Sequence, residues 1–331
     1  MIRVSVALCT FNGARYLPSQ LRSISLQSQP PDEVVVADDN SRDESIKLVE
    51  SFSKTADFEV RIHRNNTTVG STKNFERAIR LCRGELIFLA DQDDVWHTKK
   101  IQKVGKVFSE SPEVGATFTD AELVAEDLTP LHLRLWRAKR FGRCAQREIV
   151  SGQPLKVLLK HNVVTGATMA FRSRFKELVL PIPEVWIHDA WIALLIACVA
   201  RLLPISEPLI EYRQQPDQLI GARIPSFAEQ LADTRSPRRR DFEIVAHRYE
   251  LAYERLSQLA PSQVRNQGTL AAFEEKVEHA KSRETMPREI LRRAPTILRE
   301  LASLRYHRYS MGSISAIRDL LFSNGDDGSG F

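Results

Sequence analysis

Short apolar runs alternate along the first part of the chain with stretches in which apolar residues recur every three or four positions. Val4 to Leu8, Glu33 to Ala37, Phe58 to His63 and Leu86 to Leu89 have the length and composition of strands. The second, E-V-V-V-A, is apolar enough for a strand covered on both faces. Between them, Leu17 to Ser28 predicts a helix. Ile46, Val49 and Phe52 make one apolar stripe behind the capping-box spacing of Ser41 and Glu44. Phe75, Ala78, Ile79 and Cys82 fit the helical template of three- and four-residue steps, as do Ile101, Val104, Val107 and Phe108. Val114 to Thr119 then reads as another strand. The alternation predicts an α/β class built from βαβ units, with a mostly parallel central sheet flanked by helices.

The polar clusters fall where these strands end. Thr10 and Asn12 follow the first strand, Asp38 and Asp39 the second, and Asp91, Asp93 and Asp94 the fourth. Ligands of open α/β sheets bind outside the carboxyl ends of the strands, so three distant segments are expected to converge on one crevice. The carboxylates of D-Q-D-D repel one another unless a cation or a phosphate-metal complex sits among them. Oxygen ligands select a hard cation, Mg2+ or Mn2+, held by one or two carboxylates with substrate phosphates completing the shell; a diphosphate leaving group fits. Aspartates at strand ends also simply cap turns and helices, and A-D-D-N-S around Asp38 is a good loop sequence as well as a place to bind a nucleobase N–H or a ribose hydroxyl. W-I-H-D-A-W puts His188 and Asp189 at the start of an apolar helix. The helix dipole keeps an Asp there ionised and able to act as a base toward a substrate hydroxyl; as a plain alternative it caps the helix between core tryptophans.

Composition bounds these readings. With 331 residues, 43% hydrophobic and 27% charged, the chain fits one large α/β domain plus an appendage, and a net charge of +5 is too small to imply nucleic acid. The four cysteines are scattered, Cys9 and Cys198 in apolar runs, and read as small buried hydrophobes in a reducing cytosol. The start of the chain lacks the pattern of a signal peptide, and the apolar stretch Ala190 to Ala200 stops at Arg201, short of the roughly 20 residues of a spanning helix. A cytoplasmic location is the expectation. Neither a G-x-G-x-x-G after the first strand nor a P-loop occurs, and an EF-hand opening at Asp91 would put Trp96 where Gly is needed and Gln102 where Glu is needed. Beyond Gly221 the chain turns helical and Arg-rich, with R-S-P-R-R-R at Arg235 to Arg240 and the tail N-G-D-D-G-S-G-F. A solvated basic face is the ordinary reading, and a peripheral contact with anionic lipid the alternative.

As a set, V-S-V-A-L-C-T-F-N-G-A-R-Y-L, V-V-V-A-D-D-N-S-R-D, G-S-T-K-N-F-E-R-A, G-E-L-I-F-L-A-D-Q-D-D-V-W, N-V-V-T-G-A-T-M-A-F, H-D-A-W and E-P-L-I-E-Y-R-Q resemble the family 2 glycosyltransferases of the GT-A fold. The similarity is to rhamnosyltransferase-like members that build bacterial surface polysaccharides, and it covers roughly residues 2 to 221. The resemblance implies a GT-A domain over 1–221, with a Rossmann-like nucleotide-sugar half at 1–120 and an acceptor-side half at 121–221, followed by a helical region at 222–331. It implies a UDP- or dTDP-sugar donor whose base and ribose meet Thr10 and Asp38, with Asn12 and Lys73 near the donor. Asp91, Asp93 and Asp94 would match the D-x-D region, Asp93 being the direct ligand of Mg2+ or Mn2+. Asp189 would match the base of an inverting transfer to a glycan or lipid-linked glycan. One departure stands out: where similar members read Y-R-Q-H-G-N-N, this chain reads Y-R-Q-Q-P-D-Q, so Gln215 replaces the usual His and Asp217 follows it. Two other functions use some of the same residues. Asp91 to Val95 also satisfies the D-x-D-x-V of a haloacid dehalogenase-type phosphatase, with Asp91 as nucleophile, although that motif normally ends the first strand of its domain. A nucleotide-sugar-binding assembly subunit without turnover is the non-enzymatic alternative.

Overall fold

The computed structural model describes residues 2–214, 239–287 and 289–321. Gln215, Asp217, the stretch around Gly221, Arg235 to 238 and the C-terminal tail lie outside them. The chain divides into two compact units, Met1–Gly152 with Val163–Ala222, and Gln153–Asn162 with Arg223–Phe331.

The first unit is a sheet with helices. Its strands are β1 (Val4–Thr10), β2 (Glu33–Asp38), β3 (Glu59–Arg64), β4 (Leu86–Ala90), β5 (Val95–Trp96), β6 (Val114–Val124), β7 (Pro130–Arg134), β8 (Met169–Arg172) and β9 (Arg201–Arg213). They lie in the order β3-β2-β1-β4-β8-β6-β9-β5, with β7 on β6. The expected parallel pairing holds from β3 to β4. Past β4 the sheet is mixed: β8 runs antiparallel to both β4 and β6, while β9 is parallel to β6. Helices α1 (Leu17–Ser25), α2 (Ser45–Ser53), α3 (Ser71–Leu81) and α4 (Lys100–Glu110) supply the crossovers, followed by the short α5 (Leu135–Ala138) and α6 (Arg143–Val150). Every residue of β1, β2 and β4 is buried, as strands covered on both faces must be, whereas β3 is a partly exposed edge.

The capping box expected at Ser41 is not formed. Helix α2 begins at Ser45, and the Ser41 hydroxyl turns back to donate to Asp38 instead. A short helix α7 (Leu155–Leu158), expected within the acceptor-side half, groups with the helical unit, where the Leu158 carbonyl accepts from the Tyr249 hydroxyl at 3.4 Å. Helices α8 (Lys176–Val179) and α9 (His188–Val199) return the chain to the first unit. Helix α9 is buried along nearly its whole length, which explains why its sequence is apolar all round and shows no amphipathic stripe.

The second unit is helical: α10 (Arg239–Ser257), α11 (Thr269–Glu284), α12 (Ile290–Ala302), α13 (Arg305–Tyr309) and α14 (Ser313–Leu321). Ile297, Tyr306 and Ala316 form a small core. Beside it His279 lies between Glu300 at 2.8 Å and Ser310 at 2.9 Å, and Arg283 meets both carboxylate oxygens of Asp319 at 2.7 and 2.9 Å. The buried His279, Glu300 and Asp319 are thus satisfied by one another and by the half-buried Arg283 and Ser310, as buried polar groups must be. Among the described residues no helix is long and apolar enough to cross a membrane.

Candidate active site

Register brings the expected residues together. Thr10 pairs with Asp38 across β1 and β2, and β4, on the other side of β1, delivers Asp91 to the same carboxyl edge. What each side chain does there differs from its neighbour. Thr10 donates to Asp38 Oδ2 at 2.9 Å, the Ser41 amide reaches Oδ1 at 2.9 Å and the Ser41 hydroxyl Oδ2 at 2.5 Å, so the wholly buried Asp38 carboxylate is filled from within. Asp39 accepts from the Asn65 side chain and from the amides of Val69 and Gly70 at 2.8 to 2.9 Å, which shapes the turn into α3. Asn12 is exposed at φ 47°, its amide donating to Ser41 Oγ and its Oδ1 accepting from the Arg42 amide. Lys73 is occupied by Glu76 at 3.0 Å and the Ile182 carbonyl at 2.6 Å, which ties α3 to the segment ahead of α9.

The loop after β4 is charged and under-neutralised. Asp93 and Asp94 are buried. Burial, then the charges of Asp93 and Asp189, pushes the Asp91 carboxyl up to about 7. Burial, then Asp93 and Asp91, drives Asp94 well above the usual carboxylate range. Asp94 Oδ1 accepts the Arg213 amide at 3.2 Å, and Oδ2 is buried with no hydrogen-bond partner among the described residues. Behind the loop lies Lys100, fully buried, its Nζ 2.7 Å from the Ala167 carbonyl and 3.6 Å from the centre of the Trp96 ring. Burial lowers its pKa well below the ordinary lysine value, and Asp94 and Asp91 oppose that shift. Arg213, also buried, donates from Nε to the Asp93 carbonyl at 2.7 Å and stacks its guanidinium over Tyr16.

Among the described residues no three His, Cys, Asp or Glu side chains converge into a metal-holding group, so the three carboxylates do not make a protein-only cage. The donor set fits a hard cation of the Mg2+ kind nonetheless, because such ions take one or two carboxylates and complete their shell with water and phosphate oxygens. The Asp94 oxygen without a partner and the raised carboxyls of Asp91 and Asp94 are the groups a cation would satisfy.

Asp189 is buried in the first turn of α9 and accepts the Gly166 amide on Oδ2 at 3.0 Å. Its charge contributes, after burial and Asp93, to raising the Asp91 carboxyl. The neighbouring His188 serves packing: its ring stacks on Phe75 with centroids 4.0 Å apart, and burial holds it below the ordinary histidine pKa. A Cβ at Gly166 would come within 2.6 Å of His188 Nε2, so a glycine is required there for the backbone to reach Asp189. The two tryptophans are core, with Trp191 Nε1 donating to the Val179 carbonyl at 2.8 Å.

Three participants escape a reading of the sequence by strand ends. Gln92 bonds Phe11 in both directions, accepting its amide at 2.8 Å and donating to its carbonyl at 3.0 Å, so D-Q-D-D is stitched to T-F-N-G. Gly13 lies directly beneath the Gln92 amide, which leaves no room for a side chain. Lys100 reaches the T-G-A-T segment from the opposite side. The doublet of polar residues inside D-Q-D-D was the signal for Gln92; nothing local marks Lys100.

A parallel β1–β4 half that ends in an acidic loop, continued by a mixed half that carries a second carboxylate, is a GT-A-like architecture. Solved structures share it at low identity: S. aureus TarS 1-349 in complex with UDP-GlcNAc, with a TM-score of 0.54 and 15% identity over 96% of this chain and 90% of that one, and the mannosyltransferase PcManGT of Pyrobaculum calidifontis in complex with GDP-Man and Mn2+, with a TM-score of 0.54 and 18% identity over 96% and 77%. Residues 5–175 match the model of Glycosyl transferase family 2, and the chain belongs to that family. A putative teichuronic acid biosynthesis glycosyltransferase, TuaG of Bacillus subtilis, is 29% identical over 134 residues, 39% of this chain and 50% of that protein. The chain spans between 35% and 50% of the length of the first curated relatives it matches.

Proposed function

We propose that the protein is a metal-dependent inverting glycosyltransferase that moves a hexosyl unit from a UDP- or dTDP-sugar to a hydroxyl of a bacterial surface polysaccharide or lipid-linked glycan, with rhamnose the favoured sugar. The observation that carries the proposal is the placement of Asp189, anchored by the Gly166 amide, within electrostatic reach of the acidic loop after β4. Family membership and the nucleotide-sugar and Mn2+ complexes of structures with this fold support it.

In the proposed reaction the acceptor oxygen attacks the anomeric carbon from the face opposite the diphosphate, the bond to the diphosphate breaks, and the hydroxyl proton passes to the Asp189 carboxylate. One carboxylate base is enough, unlike the pair needed in glycoside hydrolysis. Asp93, with Asp91 and Asp94, would hold Mg2+ or Mn2+, which when bound offsets charge on the leaving diphosphate. Gly166 aims the base, and Lys100 holds the carbonyl of the next residue. Thr10 and Asp38 brace the floor of the nucleotide side through their mutual hydrogen bond, and Asn12, exposed at its mouth, is the residue best placed to touch the donor. A peripheral contact with anionic membrane, from the cytoplasmic side, is part of the same proposal.

The phosphatase alternative would use Asp91 alone and leave Asp189 idle. A screen of UDP-, dTDP- and GDP-sugars for metal-dependent binding and transfer tests the proposal. Binding of one donor that strengthens with Mg2+ or Mn2+, with nucleoside diphosphate released only when acceptor is present, supports it. Release of inorganic phosphate from simple phosphomonoesters would overturn it.

A further inference from the structure

The helical unit carries an apolar face whose exposed surroundings are predominantly cationic among the described residues. In α12, Leu291 is 88% exposed and Leu298 64%; they lie seven residues apart and so point the same way after two turns. Each is followed by an exposed arginine, Arg292 and Arg299. Between α12 and α14 runs a groove of about 240 Å³ lined by Ala294, Ile297, Leu301, Ala316, Ile317 and Leu320. Ile317 and Leu321, 39% and 58% exposed, extend this apolar surface onto α14.

Charge decides what fits against this face. From Ile290 to Leu321 the chain has six arginines and two acids, Glu300 and Asp319. Both acids are buried and consumed, Glu300 by His279 and Arg305, and Asp319 by Arg283 and Tyr306. Arg305 and Arg308 are in turn paired with Glu278 and Glu275. Arg292 lies 3.9 Å from Glu289, with its side chain 75% exposed. The rim offered to a partner is therefore cationic around an apolar centre. A second copy of this chain would bring arginine against arginine in a two-fold contact, which is unfavourable. An anionic lipid surface answers both features, with acyl chains for the leucines and headgroup phosphates for the arginines.

We propose that the α12–α14 face is an interfacial membrane-binding surface selective for anionic phospholipid. Leu291, Leu298, Ile317 and Leu321 insert at the headgroup boundary, while Arg292 and Arg299 contact phosphate. This gives the membrane contact of the functional proposal a definite surface, and it is read by binding, so it stands or falls apart from sugar transfer.

The test is co-sedimentation of the full chain with phosphatidylcholine vesicles, with and without one third phosphatidylglycerol. The protein should partition at least about tenfold better onto the anionic vesicles and lose that preference in high salt. L291E/L298E should reduce partitioning at least about tenfold, and R292Q/R299Q should remove most of the roughly tenfold preference for phosphatidylglycerol. These positions are exposed, so the fold is retained, which circular dichroism checks. As an independent readout, Leu298→Trp should add a blue-shifted emission quenched by brominated lipid. Equal partitioning onto both vesicle types overturns the proposal, as does full binding by L291E/L298E. So does a lipid-free dimer that L291E/L298E dissolves, which would assign the face to self-association.

Discussion

The two strands that flank β1 lead into aspartates at the same edge of the sheet, and the two ends have opposite fates. After β2, Asp38 and Asp39 collect hydrogen bonds from Thr10, Ser41, Asn65, Val69 and Gly70. After β4, Asp94 receives one long amide bond and keeps a buried oxygen that has no hydrogen-bond partner among the described residues, while burial and neighbouring aspartates raise the pKa of both Asp91 and Asp94. An acidic strand end is structural when local donors complete it, and a candidate ligand site when like charge is left over. Residue type is the same in both; the supply of N–H and O–H groups differs.

The sharpest break between the two ends is functional. Asp189→Asn, which removes the proposed base, should lower transfer by about 10²- to 10⁴-fold while donor affinity by calorimetry stays within a factor of two or so. Wild-type turnover in that variant would dismiss the base assignment. Asp93→Ala should weaken metal-dependent donor binding by about 100-fold, compared with the 10- to 100-fold typical of groups one step removed from a metal; unchanged metal dependence in calorimetry rules Asp93 out as a ligand.

The pH response separates the ends next. A carboxyl raised in the folded state binds protons that the unfolded chain has already released between its ordinary pKa and the raised one, so stability falls as pH rises through that interval. For Asp91 the interval runs from about 4 to about 7. The metal-free protein should accordingly lose thermal stability across it, and Mg2+ or Mn2+ should flatten the profile; a midpoint that climbs steadily through this range contradicts the assignment. Lys100→Met removes a charge that holds Asp91 down, so the acid limb of metal-dependent donor binding should move to higher pH. The smallest effect is expected at the satisfied end. Thr10→Val should cost about 1 kcal/mol of folding stability in urea, by removing one of the two donors to Oδ2 of buried Asp38, and should change the metal dependence of binding little.

Local pattern reveals the parallel half well. Strands β1, β2 and β4 are short apolar runs whose neighbours all obey the helical period, and their ends carry the polar clusters. The mixed half is harder to see. Strand β9 contains two prolines and two glutamates within L-L-P-I-S-E-P-L-I-E-Y, and its long pairing with β6 is set by tertiary contact. Helix α9 and the proposed base are marked by H-D-A-W, and the Gly166 amide that bonds Asp189 lies 23 residues earlier in the N-V-V-T-G-A-T-M-A-F block, whose pairing with α9 no local pattern signals. Lys100 is the clearest miss. Beside the apolar stripe of α4 it reads as a solvated lysine, yet it is buried because Trp96 and the Ala167 carbonyl close over it from elsewhere in the chain.

The reciprocal amide bonds of Gln92 with Phe11, made above a glycine at position 13, set a rule for inheritance and for engineering. The turn that follows β1 and the acidic loop that follows β4 are separated by some eighty positions, yet neither can be exchanged without the other. A graft of a foreign T-F-N-G turn bearing any side chain at position 13 would expel Gln92 and slacken the loop that carries Asp91, Asp93 and Asp94. Recombination between relatives should therefore preserve Gly13 and Gln92 as a linked pair even where the residues around them diverge.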